Sequence, residues 1–266
     1  MPMVMIRKMR AKKLNRLDSE SLIVPGWPAP RNVGCLSTTR LGGVSRGVFS
    51  SLNLGCHVGD DPDAVTANRE VLKSMIAGKP VWLTQVHGTR VVDAGQFIDT
   101  DLSPEADAAF IRRTGGVCAV MTADCLPVLL CDDSGSVVAA VHAGWRGLLA
   151  GVLEATVKAM KVPGTQLMAW LGPAIGQNAF EVGDEVRAAF SEISLEAEMA
   201  FRAASRGKWW ADIYCLARQR LISQGVERVF GGDHCTASEA ELFFSYRRDG
   251  RTGRMASMIW LNETAS

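Results

Sequence analysis

The chain has 266 residues, 47% hydrophobic and 21% charged, enough to bury the core of one large domain or two small ones. Its 29 Lys and Arg residues nearly balance 28 Asp and Glu residues, and the resulting formal charge of +1 gives no electrostatic reason to expect nucleic-acid or membrane partners. Seven irregularly spaced Cys residues in a chain of this length indicate free thiols in a reducing compartment.

The N-terminal segment is basic and differs from the rest of the chain. It lacks the apolar core of a secretory signal, and we expect residues 1–20 to form a disordered tail. No repeat or long linker divides the remainder, so residues 21–266 are predicted to be a single domain. Because no stretch approaches the roughly 20 apolar residues of a membrane span, the protein is expected to be soluble and cytoplasmic.

Hydrophobic periodicity predicts an alternation of short strands and helices. Residues 31–60 are rich in Gly, Ser, Thr and Asn, which favours turns over regular structure. The predicted strands, in chain order, are 81–86, 91–93, 106–111, 117–121, 128–131, 137–141 and 168–171, followed by a terminal pair at 242–250 and 255–261. The predicted helices are 61–76, 148–160, 184–193 and 210–224. This mixture indicates an α/β or α+β class and leaves the strand order open.

One Cys and two His residues stand out because each follows a predicted strand in a short segment flanked by Gly or Pro. They are His87, Cys125 and His142, in a chain with only four His residues. Strand ends of this kind are where α/β proteins place ligands and catalytic groups. Together the three could be a catalytic thiol with its base, or three ligands of a metal with an open fourth position, a donor set that would suit zinc.

Several neighbouring polar residues are candidates for supporting roles. Asp124 and Gln85 could orient the imidazoles, and Asp124 or Asp107 could act as general acid or base. Arg40 and Arg146 lie in glycine-rich segments where a guanidinium can bind a phosphate or carboxylate. Each residue also has a purely structural interpretation: a small apolar Cys, a His bonded to a backbone carbonyl, or an Arg that braces the core.

Eight short motifs occur in order between about residues 31 and 261. They are Thr39-Arg40-x-Gly42-Gly43-Val44-Ser45, Asn53-Leu54-Gly55, Thr84-Gln85-Val86-His87-Gly88, Ala106-Asp107-Ala108, Ala123-Asp124-Cys125-x-Pro127, His142-Ala143-Gly144-Trp145-Arg146-Gly147, Gly172-Pro173-x-Ile175-Gly176 and Phe244-Ser245-Tyr246-Arg247-Arg248. Together they resemble the YfiH-like family, also labelled the laccase domain or multi-copper polyphenol oxidoreductase family.

This resemblance implies a layered α/β/β/α fold like that of the toxin-type cysteine deamidases. It implies a zinc site at His87, Cys125 and His142. It also implies phosphorolysis of adenosine, inosine, guanosine and methylthioadenosine, and deamination of adenosine. The expected catalytic residues are the three ligands and Asp124. The expected substrate- or phosphate-binding residues are Arg40, Asn53, Gln85 and Arg146.

The laccase label conflicts with a simple count of ligands. A multicopper oxidase needs many His ligands, and four His residues cannot supply them, although one copper could enter the Cys-His-His site in place of zinc. We therefore expect no multicopper laccase activity. Two alternatives stay open at this point: a metal-free cysteine hydrolase that acts on a peptidoglycan precursor, and a non-enzymatic partner-binding protein with a structural zinc.

Overall fold

Two mixed β-sheets lie face to face at the centre of residues 21–263, the part of the chain that this computed structural model describes. The predicted tail, residues 1–20, lies outside the described residues. The five-stranded sheet has the order β1 (Leu22–Ile23), β2 (Val33–Thr38), β14 (Met255–Leu261), β6 (Gly115–Thr122) and β3 (Gly78–Val81). The six-stranded sheet has the order β13 (Arg228–Gly231), β9 (Leu167–Leu171), β7 (Leu126–Asp132), β8 (Val138–Ala143), β5 (Ala108–Ile111) and β4 (Val91–Asp93).

Helices cover the outer face of each sheet. Helix α1 (Pro62–Leu72) packs on the five-stranded sheet, and α3 (Val152–Met160) and α5 (Ile213–Ser223) pack on the six-stranded sheet. A small third sheet, with α4 (Asp184–Ile193) beside it, has the order β10 (Glu181–Gly183), β12 (Lys208–Ala211) and β11 (Phe201–Ala203). The layered α/β/β/α fold is therefore confirmed.

Burial on both faces explains the apolar runs of the central strands. Along β7, Leu129 faces the other sheet, whereas Val128 and Leu130 face the helices. Every residue of β7 and β8 is buried, as the sequence predicts for strands that lie between two layers. No helix within residues 21–263 is long and apolar enough to cross a membrane.

Each of the four predicted helices is present, but the boundaries of three differ and one of these is divided in two. Helix α1 begins as predicted, with Pro62 in its first turn and the Asp61 side chain accepting the Asp63 amide, but it ends at Leu72. The predicted helix 148–160 begins earlier and is interrupted at Gly151, whose φ of 98° separates α2 (Trp145–Ala150) from α3. The predicted helix 210–224 starts only at Ile213, because Trp210 belongs to β12.

Several strand predictions are wrong. The strand predicted at 81–86 is shifted, since β3 ends at Val81 and the next residues form a loop. Residues 31–60 contain β2 despite their glycine content, because β2 pairs on both sides within the sheet. Residues 242–250 form turns and the short helix α6 (Tyr246–Asp249), and β14 pairs with β2 and β6 instead. The short strands β1, β10, β11 and β13 have no counterpart in the prediction.

Candidate active site

The register of two antiparallel strands brings Cys125 and His142 together. Cys125 directly precedes β7, His142 lies near the end of β8, and Pro127 of β7 pairs with His142. His87 approaches from the loop after β3, and its Nε2 lies 3.6 Å from the Cys125 Sγ. The ligand atoms of the three side chains all lie within 4.8 Å of one another. The structure therefore places the predicted trio in one cluster, which could hold a metal.

The position of His87 depends on a loop rather than on the end of a strand. The buried carboxylate of Asp107 accepts the backbone N–H groups of Val86 at 3.2 Å, His87 at 2.9 Å and Gly88 at 2.7 Å. His87 has a φ of 61°, a left-handed conformation that a non-glycine residue adopts only when its surroundings enforce it. Asp107 thus holds the loop in the conformation that directs His87 to the cluster.

The same Asp107 carboxylate orients His142. Its Oδ1 accepts a hydrogen bond from His142 Nδ1 at 2.8 Å, which leaves Nε2 of this buried ring for the cluster. Although burial opposes it, hydrogen bonds from His142 and from the Gly88 amide hold the pKa of Asp107 below its usual value. The sequence interpretation treated Asp107 only as one of two possible acid–base groups. The signal for its positioning role was the motif Ala106-Asp107-Ala108.

The cluster stabilises a thiolate beside an imidazolium. Although burial opposes ionisation, the charges and hydrogen bonds of His142 and His87 lower the pKa of Cys125 to about 6. Burial likewise opposes the charge on His142, but the Cys125 thiolate and the Asp107 hydrogen bond raise its pKa to about 9. In contrast, burial raises the pKa of Cys118, a core residue of β6. Cys125 is therefore chemically distinct from the structural thiols.

Asp124 anchors the turn that carries Cys125. Its φ is 90°, its Oδ1 accepts the Thr236 hydroxyl at 2.6 Å, and its Oδ2 accepts the Arg247 amide at 2.6 Å. Its backbone oxygen accepts the Ile175 amide at 3.0 Å. These bonds join three separate segments of the chain at the residue before Cys125. A catalytic role of Asp124 stays a prediction.

Two glycines near the start of α2 are required because atoms of the cluster and of its loop lie too close for a side chain. A Cβ at Gly144 would lie 2.7 Å from His87 Cδ2 and 3.1 Å from Cys125 Sγ. A Cβ at Gly147 would lie 2.9 Å from the backbone oxygen of Gly88. The glycines around Trp145 therefore let the start of α2 pack directly on the metal-ligand candidates.

A cavity of about 660 Å³ opens above the cluster. Apolar and aromatic side chains form much of its wall, including Trp82, Trp145, Ile175, Phe180, Ile213 and Tyr246. Four arginines also line it: Arg69, Arg146, Arg247 and Arg254. Of these, the sequence interpretation named only Arg146 as a substrate-binding candidate. Arg69 lies in α1, Arg247 in the short helix α6 and Arg254 in the loop before β14, and no local motif suggests that they share a cavity.

The remaining substrate-binding candidates differ in their positions. Gln85 lines the cavity, where its side-chain amide pairs with both backbone groups of Met121 at 2.8 Å. Arg40 and Asn53 are not among the lining residues. The Arg40 guanidinium donates to the backbone oxygens of Ser50 and Ala240. Asn53 Oδ1 accepts the backbone N–H groups of Gly55 and Arg254. Their part in substrate binding stays a prediction, beside an evident structural function.

Comparisons with known proteins agree on one family. A family model described as Multi-copper polyphenol oxidoreductase laccase matches residues 34–262. The chain is 56% identical over 242 residues to Purine nucleoside phosphorylase YfiH of Escherichia coli K12, covering 90% of this chain and 98% of that protein. It is 54% identical to Purine nucleoside phosphorylase PA4543 of Pseudomonas aeruginosa, covering 91% and 98%. The crystal structure of Neisseria meningitidis protein NMB0706 superposes with a TM-score of 0.89 at 53% identity, covering 91% of this chain and 100% of that one.

Proposed function

Because this chain belongs to the multi-copper polyphenol oxidoreductase laccase family, which includes the YfiH proteins, we propose that it is a purine nucleoside phosphorylase. The observation that carries the proposal is the cluster of His87, Cys125 and His142 at the floor of a substrate-sized cavity. The names of the relatives support this reaction, and the cluster is the proposed place where it occurs. The proposed substrates are adenosine, inosine, guanosine, methylthioadenosine and inorganic phosphate.

The cavity suits a nucleoside in size and chemistry. Small-molecule sites are commonly concave, largely apolar and a few hundred Å³ in volume, as this one is at about 660 Å³. Aromatic side chains offer flat faces for a purine ring, and Phe180 and Trp145 provide them here. Arg146, whose guanidinium lies 4.2 Å from the Trp145 ring centroid, is a proposed partner for a polar group of the substrate.

The donor set fits a zinc ion. Two imidazoles and a thiolate are ligands that zinc accepts, and His87, Cys125 and His142 would hold the ion, although copper could enter the same site. Asp107 would orient His142 as carboxylates orient imidazoles in metal sites. A zinc ion held there would supply Lewis-acid chemistry to the reaction. Multicopper laccase chemistry is not proposed, because the chain has only four His residues.

The proposed reaction exchanges one bond at the ribose. A phosphate oxygen supplies the electron pair that forms the new C1′–O bond, the C1′–N9 bond breaks, and its electron pair leaves with the purine. The purine then takes up a proton. Asp124 supplies the carboxylate that lines the cavity among the described residues, and it is the proposed proton relay. Deamination of adenosine at the same site is proposed as a second activity.

One observation favours a second candidate, a metal-free cysteine hydrolase. Cys125, His142 and Asp107 are arranged in space like a nucleophile, its base and the carboxylate that orients the base. A thiolate with a pKa of about 6 would be a competent nucleophile toward an amide, including one in a peptidoglycan precursor. In this alternative, added zinc would block the reaction instead of supporting it.

The test incubates protein of measured zinc content with adenosine, with and without phosphate, and follows adenine, ribose 1-phosphate, inosine and hypoxanthine by chromatography. Phosphorolysis predicts adenine and ribose 1-phosphate in equal amounts, and only when phosphate is present. Inosine formed without phosphate would demonstrate deamination. The absence of every purine product from zinc-replete protein would contradict the proposal and direct attention to the cysteine hydrolase.

A further inference from the structure

Arg69 and Arg254, which no sequence motif identified, line the cavity, and hydrogen bonds hold their side chains in place. Arg69 of α1 donates from Nε to the Leu54 oxygen at 2.9 Å, and its guanidinium lies 4.1 Å from the ring centroid of Trp82. Arg254 donates from Nη1 to the oxygens of Thr252 and Gly253, each at 3.0 Å. Both guanidiniums are thus held in place before any ligand binds, which lowers the entropic cost of binding.

The path of the Arg254 side chain is built into the fold. A Cβ at Gly55 would lie 2.8 Å from Arg254 Cγ, so a larger residue at position 55 would displace this side chain. The Arg254 amide also donates to the buried side chain of Asn53 at 2.9 Å. The Asn53-Leu54-Gly55 motif therefore serves to position both arginines, through Asn53 and Gly55 for Arg254 and through the Leu54 oxygen for Arg69.

The two guanidiniums at this end of the cavity form no direct ion pair, although the charges of Cys125 and Asp124 act on Arg254 from a longer distance. Within residues 21–263, no carboxylate oxygen lies within 4.0 Å of the guanidinium of Arg69 or Arg254. His57 also lines the cavity, and its pKa responds to the positive charge of the two arginines. Its partial burial and the charges of Arg254 and Arg69 lower its pKa. Half-buried charges are normally compensated, so an anionic ligand would complete this end of the cavity.

From this arrangement we infer that Arg69 and Arg254, with His57 beside them, form the phosphate subsite of the proposed phosphorolysis. A planar guanidinium binds phosphate through two parallel hydrogen bonds, and two such groups match the charge of the dianion. Arg69 and Arg254 line the same cavity as Cys125 and His142, so the subsite and the metal-ligand cluster share one space. The purine would then occupy the apolar wall of Ile175, Phe180 and Ile213.

This assignment rests on the proposed function and gives the reaction a direction within the cavity. The phosphate oxygen that forms the C1′–O bond would come from the side of the two arginines. The C1′–N9 bond would break toward the apolar wall, and ribose 1-phosphate would remain bound through its phosphate. Arg146, the phosphate candidate from the sequence, is the competing assignment; it is exposed and lies over its neighbour Trp145.

The kinetic test varies phosphate at saturating inosine in the zinc-loaded enzyme and compares Arg254→Met, Arg69→Met, Arg146→Met and Arg254→Lys. We expect each of the first two to raise the KM for phosphate roughly 10- to 100-fold, the range for a lost charge-assisted hydrogen bond, with the inosine KM changed less than about threefold. The phosphate KM of Arg254→Lys should fall between those of Arg254→Met and wild type, because lysine keeps the charge but cannot form two parallel hydrogen bonds. Arg206→Met, at an exposed site outside the cavity, is the matched control.

Several results would overturn the assignment: an unchanged phosphate KM in both Met variants, an effect confined to the inosine KM, or a phosphate effect in Arg146→Met alone. Thermal unfolding of each variant checks folding. Should Arg69→Met fail to fold, His57→Gln takes its place with a smaller expected rise in the phosphate KM. Calorimetric titration of phosphate without nucleoside separates the two proposals. Phosphate binding that Arg254→Met weakens, in a protein without phosphorolysis, would keep the subsite and reject the proposed function.

Discussion

The cavity above Cys125 has a neighbour of comparable size, about 790 Å³, that is also lined by cysteine and histidine side chains. In this second cavity, His234 bonds to Glu239 at 2.9 Å and the Cys235 thiol accepts the Gly176 amide at 3.2 Å. Their polar groups bond to nearby partners, whereas His87 and His142 both turn toward Cys125. Residue types alone therefore do not make a site. The pairing of β7 with β8 and the convergence of two imidazoles on one thiol distinguish the first cavity.

The largest effect expected from this contrast is that of removing each thiol. Cys125→Ala should lower phosphorolysis by roughly 10³-fold or more, because it removes a ligand and the thiolate charge together. Cys235→Ala should leave activity within about threefold of wild type, as an ordinary side-chain truncation away from the chemistry would. Activity assays and zinc quantification by mass spectrometry check both variants. Equal losses in the two would mean that the cavities act as one site.

Crowding the cluster should have the next largest effect. Gly144→Ala places a Cβ 2.7 Å from His87 Cδ2, so the ring must move. A displacement of about 1 Å at a catalytic group can cost on the order of 10²-fold in rate. Gly26→Ala, where a Cβ would meet nothing within 4 Å, is the matched control and should retain full activity. A Gly144→Ala enzyme with normal rate and zinc content would show that the cluster accommodates a methyl group at this position, against the expectation.

Replacing the orienting carboxylates comes third. Asp107→Asn should reduce zinc affinity and activity about 10- to 100-fold, because an amide has one acceptor oxygen and cannot accept from both His142 and Gly88. Glu239→Gln removes the corresponding carboxylate of the second cavity and should affect stability only. Zinc titration with a competing chelator and thermal unfolding distinguish these outcomes. A Glu239→Gln enzyme with reduced zinc affinity would reveal coupling between the cavities.

The smallest expected effect is a shift in a titration. Because the pKa of Cys125 is lowered to about 6, its thiolate persists down to about that pH, and in metal-free protein its alkylation rate should rise through pH 6 and then level off. Although burial opposes it, hydrogen bonds from the Ser238 side chain and from backbone amides lower the pKa of Cys235. Peptide mapping after iodoacetamide treatment across pH 5 to 10 reports both thiols. If His87→Ala and His142→Ala leave the Cys125 midpoint unchanged, the imidazoles are not its cause.

Local patterns in the chain were sufficient to place the long buried strands, the four longer helices and the trio. The apolar runs around β6, β7 and β8 and the positions of Cys125 and His142 follow from periodicity and flanking residues. Short strands were not predicted correctly, because their formation depends on the strands with which they pair. Strand β2 forms in a glycine-rich segment since β14 lies beside it, and residues 242–250 turn away because β14 pairs elsewhere.

The sequence by itself determined the fold class, the layered arrangement through its resemblance, and the residues of the cluster, because buried periodicity and short motifs are local properties. Only the tertiary structure decided that Asp107 holds both His87 and His142, and that Arg69 and Arg254 share a cavity end. It also assigned Arg40 to backbone contacts. Hydrogen bonds between residues 200 or more positions apart depend on strand register and loop conformation, which no local pattern encodes.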